Sequence, residues 1–300
     1  MSFNDNIRLD PSRVGTSGAG RKIAGAGGGS ILGVLLILGF SYFTGIDLTS
    51  LLSSSPQTSS SSSSSVDVSS CQTGKDANER VECRMVATAQ SLDAVWKTQL
   101  ADQGTGVTYE LPDFQIFTDS MSTACGNATS AVGPFYCPGD STVYLDLGFF
   151  NDMVSQYGAS DSVLAQEYVV AHEWGHHIQN LQGVFRAHDT RETGAQGAGV
   201  RSELQADCYA GIWVNHASST PDPDTGKPFL NRPSSEEIKG ALGAAEAVGD
   251  DHIQERAKGH VDSDTWTHGS SEQRVRWFTT GMNSGSVQAC NTFAVDASQL

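Results

Sequence analysis

The sequence predicts an α+β fold for residues 71–300, preceded by one transmembrane helix and a polar tether. Three observations carry that reading. Alternating β-branched and aromatic residues occur at 112–118 and 142–147, helical apolar spacing dominates after residue 160, and a long uncharged segment lies near the start. Strands first and helices later suit an α+β arrangement in one sizeable domain.

Residues 23–46 are 24 positions without a charge, densest in apolar residues from Ile31 to Ile46. At the helical rise this run reaches about 36 Å, enough to cross a hydrocarbon core of about 30 Å. Arg8, Arg13, Arg21 and Lys22 precede it, against Asp5 and Asp10. The positive-inside tendency predicts a cytoplasmic segment at 1–22, a single-pass cell-membrane anchor at 23–46 and an extracytoplasmic remainder. A cleaved signal peptide is the competing reading, disfavoured by the long leader and by the lack of an A-x-A-like site after the apolar run. Residues 53–70 hold 12 serines, so 47–70 reads as a flexible linker unable to bury enough apolar surface to order itself.

Within 71–300, apolar residues at helical spacing (Val81, Met85, Val86, Leu92, Val95, Trp96) predict a helix over 77–100. Strands follow at 112–118 and 142–147. Ser160, Asp161 and Ser162 are N-cap candidates for a helix running to about Leu181, with Gly183 as its stop. The glycine-bearing stretch 190–200 reads as a loop, followed by helices at 202–215, 234–247 and 272–279. No internal repeat interrupts this order.

The net charge of −16, from 34 acidic and 18 basic residues, argues against nucleic-acid binding and against adhesion of the soluble part to an anionic surface. Six cysteines at 71, 83, 125, 137, 208 and 290, none in a CxxC pair, suit disulfides in an oxidising compartment. The preferred pairing is 71–83, 125–137 and 208–290, the first two because they close short local loops.

The chemistry centres on His172-Glu173-Trp174-Gly175-His176. Positions i and i+4 share a helix face, so both imidazoles can address one zinc ion, with Glu173 beside them as a general base. Apolar neighbours Tyr168 to Ala171 and Ile178 bury this helix, and buried polar groups need partners. A catalytic site takes a third protein ligand and keeps an open position. The pattern with glycine at +7 and histidine at +10 is excluded, because Gln179 and Gln182 stand there. Glu203 and Asp207, one turn apart, supply the other route: Glu203 as ligand and Asp207 holding the far nitrogen of a ligating histidine, or Asp207 as the ligand itself. Near the end, His268 stands six residues before Arg274 at a loop-to-helix junction, where it could face a developing oxyanion. His177, His188, His216, His252 and His260 carry no comparable context.

At VVAHEWGHHIQNLQG (169–183), ELQADCYAGIWV (203–214), HGSSEQRVRWF (268–278) and GPFYCPGDSTVYLDLGFF (133–150) the chain resembles the bacterial neutral zinc metallopeptidase family. The resemblance implies a zincin-like core with an active-site helix and a small mixed sheet. By position, His172, His176 and Glu203 would bind Zn2+ and Glu173 would be the catalytic base. Asp207 would orient a ligand from the second rank, while His268 and Arg274 would support catalysis. Residues 142–147 would form the edge that an extended peptide joins by backbone pairing. The implied activity is a membrane-anchored, extracytoplasmic peptidase acting on proteins or peptides. An inactive zincin-fold binding protein and a zinc amidase acting on non-peptide cell-wall material are the alternatives.

Overall fold

The computed structural model describes residues 2–16, 66–118, 120–129 and 132–300. The expected anchor at 23–46 lies outside them, as does most of the linker. Among the described residues no helix is long and apolar enough to cross a membrane.

In chain order the elements are β1 (Gly15–Thr16), α1 (Gly74–Glu79), α2 (Val81–Asp102), β2 (Asp113–Phe117), β3 (Ser120–Thr123), β4 (Gly126–Thr129), β5 (Phe135–Cys137) and β6 (Thr142–Asp146). Helices α3 (Phe149–Ser155), α4 (Val163–Gln182), α5 (Ala198–Ala217), α6 (Ser235–Ala247), α7 (Asp250–Lys258) and α8 (Ser271–Ser284) complete the domain. The α+β expectation thus meets a mixed fold with small sheets. One sheet has the order β1-β2-β6-β5, with β1, β2 and β6 parallel and β5 antiparallel to β6. A separate hairpin pairs β3 with β4.

This order corrects one expectation. Residues 142–146 form an inner strand, paired to β2 on one side (Phe114 opposite Val143) and to β5 on the other (Tyr136 opposite Val143). All five of its residues are buried, and β5 already occupies the edge along Thr142 to Tyr144 where a peptide was expected to add. The outer strands are β1 and β5.

Several helices begin and end as their sequence dictates. Ser162 caps α4 by accepting from the Ala165 amide at 3.2 Å, and Gly183 ends it in the left-handed conformation at φ 79°. Ser234 with Glu237 and Ser270 with Gln273 form capping boxes at the starts of α6 and α8. The single helix expected over 77–100 is two helices, because Arg80 is extended between α1 and α2. The Cys71–Cys83 disulfide spans that break. Helix α7 had no expectation at all: it buries only Asp250 and Gln254, so it presents no apolar stripe to read.

All six cysteines are paired as 71–83, 125–137 and 208–290, with Cα separations of 5.1, 5.8 and 5.6 Å. These lie in the ordinary range for disulfides. The pairing matches the sequence reading and fits an oxidising compartment.

The core lies between α2, α4, α5 and α8, where Trp96, Trp174, Trp213, Tyr168, Tyr209 and Phe278 are fully buried. Helix α2 backs α5 through an edge-on Trp96–Tyr209 contact at 5.3 Å and the Trp213 indole bonded to Ser91 at 3.1 Å. The leader packs onto the domain: Phe3, Ile7, Leu9 and Val14 are buried in this same core. Each such burial is worth about 1.5–3 kcal/mol. The leader's apolar residues follow no regular period, which hides their destination from pattern reading.

Candidate metal centre

Helix α4 presents His172 and His176 on one face, and α5 crosses it to bring up Glu203. Gly175 permits the approach: a Cβ there would stand 2.9 Å from the Ala206 Cα, closer than side chains tolerate. Glu203 Oε2 lies 3.1 Å from His172 Nε2, and Oε1 lies 3.4 Å from His176 Nε2. One donor atom from each of the three residues falls within 4.8 Å of the others. Two imidazole nitrogens and a carboxylate oxygen are the donor set a zinc ion takes, with a fourth position left for water or substrate.

The far nitrogens decide whether the near ones are free. His172 Nδ1 is 2.8 Å from Asp207 Oδ1, and His176 Nδ1 is 2.8 Å from Gln179 Oε1. Both partners are acceptors, so each Nδ1 carries a proton and each Nε2 is the atom turned toward the centre, where a metal can take the place of its proton. The chain thus fits a divalent metal held by His172, His176 and Glu203.

Behind the histidines, charge is compensated. Asp207 is fully buried and accepts from His172, from the Tyr168 hydroxyl at 2.5 Å and from Arg274 Nε and Nη2 at 2.8 and 2.9 Å. Burial alone would raise its pKa, but Arg274 and His172 outweigh burial and hold the carboxyl at about 2. Helix α8 delivers Arg274 because Gly281 lets it lie against α5; a Cβ there would overlap the Cys208 carbonyl. Glu203 is held well below the usual carboxylate range: burial opposes this, and the two imidazoles overcome it. His172 is raised to about 10, since Asp207 and Glu203 outweigh the burial that would lower it. The pocket is therefore built for net positive charge, as proton or metal.

Arg274 is buried, with Nε and Nη2 on Asp207 and Nη1 donating to the Val248 carbonyl at 3.1 Å, so its contact with the centre runs through Asp207. Asp207 likewise sits behind His172 with both oxygens taken, which disfavours it as the ligand. His268 stands apart, with its side chain 44 % exposed and Nδ1 3.2 Å from Asp250 Oδ1. Asp250 Oδ2 accepts from the amides of Thr267, His268 and Gly269 at 2.7, 2.6 and 3.0 Å, pinning this loop to the start of α7. Burial would lower the His268 pKa, but Asp250 and then Glu203 raise it above the usual imidazole value. Glu173 is buried beside His176 and makes no hydrogen bond among the described residues.

Sequence reading missed four residues here. Tyr168 and Gln179 lie one turn either side of the histidine pair, a helical spacing that could have exposed them. Asp250 arrives from a loop junction with no spacing signal. His177, given no role, is buried with Nε2 2.7 Å from the Glu110 carbonyl and Nδ1 3.1 Å from the Tyr136 hydroxyl. It ties α4 to β5.

The sequence profile of the family described as "Putative neutral zinc metallopeptidase" matches residues 3–293. The chain belongs to this family. An uncharacterized protein of Mycobacterium tuberculosis is 48% identical over 251 residues, covering 83% of this chain and 84% of its own length. The uncharacterized protein YpfJ of Escherichia coli is 37% identical over 278 residues, covering 91% and 88%. No solved structure matches.

Proposed function

We propose that this member of the neutral zinc metallopeptidase family is a working peptidase, with a zinc ion held by His172, His176 and Glu203. The observation that carries the reading is the pair of Nδ1 contacts, to Asp207 and Gln179, which turn both Nε2 atoms toward Glu203. Bound zinc would supply an acidified water and a polarised carbonyl. Glu173 takes the proton from the attacking water and delivers it to the leaving amine. His268, oriented by Asp250, donates toward the oxyanion as charge develops on the scissile carbonyl. Arg274 and Tyr168 keep Asp207 fixed, and Asp207 keeps His172 in the ligating tautomer.

An extended peptide pairs with the outer strand β5, which α4 supports through Tyr136, His177 and Asn180. Three disulfides with no free cysteine favour action outside the cytoplasm. The test uses the full chain, with zinc content and cleavage of casein and a peptide library measured together. Glu173→Gln retains stoichiometric zinc and loses cleavage by about 100- to 10,000-fold. A wild type that binds zinc yet shows no chelator-sensitive cleavage would falsify the peptidase reading and favour a binding protein. Cleavage confined to non-peptide amides would favour the amidase.

A further inference from the structure

The leader is seated on the domain as a part of it. Phe3 is 1% exposed and Ile7 is fully buried. Backbone pairing runs along its length: Asn4 N donates to the Phe229 carbonyl at 2.9 Å, Gly74 N to the Ile7 carbonyl at 3.2 Å, and Leu9 N to the Gln72 carbonyl at 3.0 Å. The receiving surface is shaped for it. A Cβ at Gly74 would collide with the Asn4 carbonyl, so helix α1 can start there only as glycine while the leader is docked. At the far end, β1 adds in parallel to β2, with Gly15 opposite Gln115.

Arg13 carries this docking into the metal helix. Its guanidinium chelates Asp93 at 2.6 and 3.2 Å, bonds the Pro112 carbonyl at 2.9 Å and lies over the Trp174 ring, 5.3 Å from its centre. Asp93 also accepts from the Tyr109 hydroxyl at 2.5 Å, and Tyr109 accepts from the Trp174 indole at 2.9 Å. Trp174 lies between Glu173 and Gly175. The family match, moreover, begins at residue 3, so the leader belongs to the shared module.

We propose that residues 2–16 reside on the same side of the membrane as the metal centre, docked in the groove formed by α1, α2 and β2 as a permanent member of the domain. With the domain in an oxidising compartment, the leader is exported with it. A single membrane crossing between residues 16 and 66 would place two pieces of one core on opposite sides, so docking and a single crossing exclude each other. One of the basic residues before the uncharged run is thereby reassigned: Arg13 is a counter-ion for Asp93, not a cytoplasmic retention charge.

The test needs no catalysis, so its outcome is separate from that of the peptidase reading. Arg8 and Thr73 face each other across an antiparallel bridge, a spacing that suits a disulfide. In full-length protein made in bacterial cells, Arg8→Cys with Thr73→Cys should cross-link without added oxidant, read as a linked peptide by mass spectrometry. In parallel, Asn6→Cys and Glu79→Cys, both at exposed positions, are treated in intact cells with a membrane-impermeant maleimide. Equal labelling of both before permeabilisation is the expected result. Labelling of Glu79→Cys before, and of Asn6→Cys only after, permeabilisation overturns the proposal. Protection of both until lysis overturns its export half.

Discussion

At Asp207 and His172, on the side of α4 that carries the histidine pair, counter-charges outweigh burial; at His177 and Glu167, on the reverse face, burial wins. Asp207, buried to zero exposure, is held ionised at about 2 by Arg274 and His172. His177, on the reverse face of the same helix, is pushed down to about 4 by burial, and Glu167 is pushed up to about 7 by burial against the pull of Arg84. Both sides are dry; what differs is which effect wins, the counter-charges at Asp207 and His172 and burial at Glu167 and His177.

The largest expected effect comes from breaking the compensated side. Asp207→Ala leaves the Arg274 guanidinium buried without its partner and should cost about 3–5 kcal/mol in denaturant unfolding. It should also weaken zinc by about 10- to 100-fold in chelator competition, because His172 loses the acceptor that fixes its tautomer. Unchanged stability would mean that the two faces do not differ in the way described.

On the neutral side the sign reverses. Glu167 has a folded pKa of about 7 against an ordinary value of 4.5. The folded chain therefore holds a proton that the unfolded chain releases, and stability from this group declines as pH rises from 4.5 through 7. Glu167→Gln should stabilise the protein by up to about 3 kcal/mol at pH 8, with no gain at pH 4. A variant less stable than wild type at pH 8 would show that the partners of Glu167 outweigh the cost of burying its charge.

The smallest effect should be at Gln179, a neutral acceptor on the charged face. Gln179→Met keeps the volume but removes the acceptor for His176 Nδ1, and zinc should bind about tenfold more weakly. It also frees Ser202 and Gln205, which Gln179 Nε2 now bonds at 2.7 and 3.0 Å. A variant with wild-type zinc affinity would make this contact incidental to the metal.

The same division explains what could be read from the sequence. His172, Glu173, His176, Glu203 and Asp207 announce themselves because helical spacing fixes which side chains share a face, whatever the fold does elsewhere. Helix ends were legible at Ser162, Gly183 and Ser234 for a similar reason, since capping is local. The reverse face has no such rule. Arg13 reaches Asp93 across 80 positions and Tyr109 reaches Trp174 across 65, so neither contact leaves a trace in spacing. Strand pairing failed likewise: 142–147 was correctly a strand, but its composition does not say that it lies inside the sheet. Six cysteines in a chain with an apolar run near its start pointed to export, but the spacing of Phe3, Ile7, Leu9 and Val14 gave no sign that they enter the core.

The Cys208–Cys290 bond begins one residue after Asp207 and closes a stretch of 82 residues that contains His268 and Arg274. A closure of that length is worth about 4–5 kcal/mol on a chain-entropy basis. It ties α5 to the turn that follows α8 whether or not a metal is present. On the proposed reading, loss of zinc would empty the centre without dissolving it, unlike small metal-folded domains, in which chelation and unfolding are one event. A protein built this way would wait empty and be recharged in place.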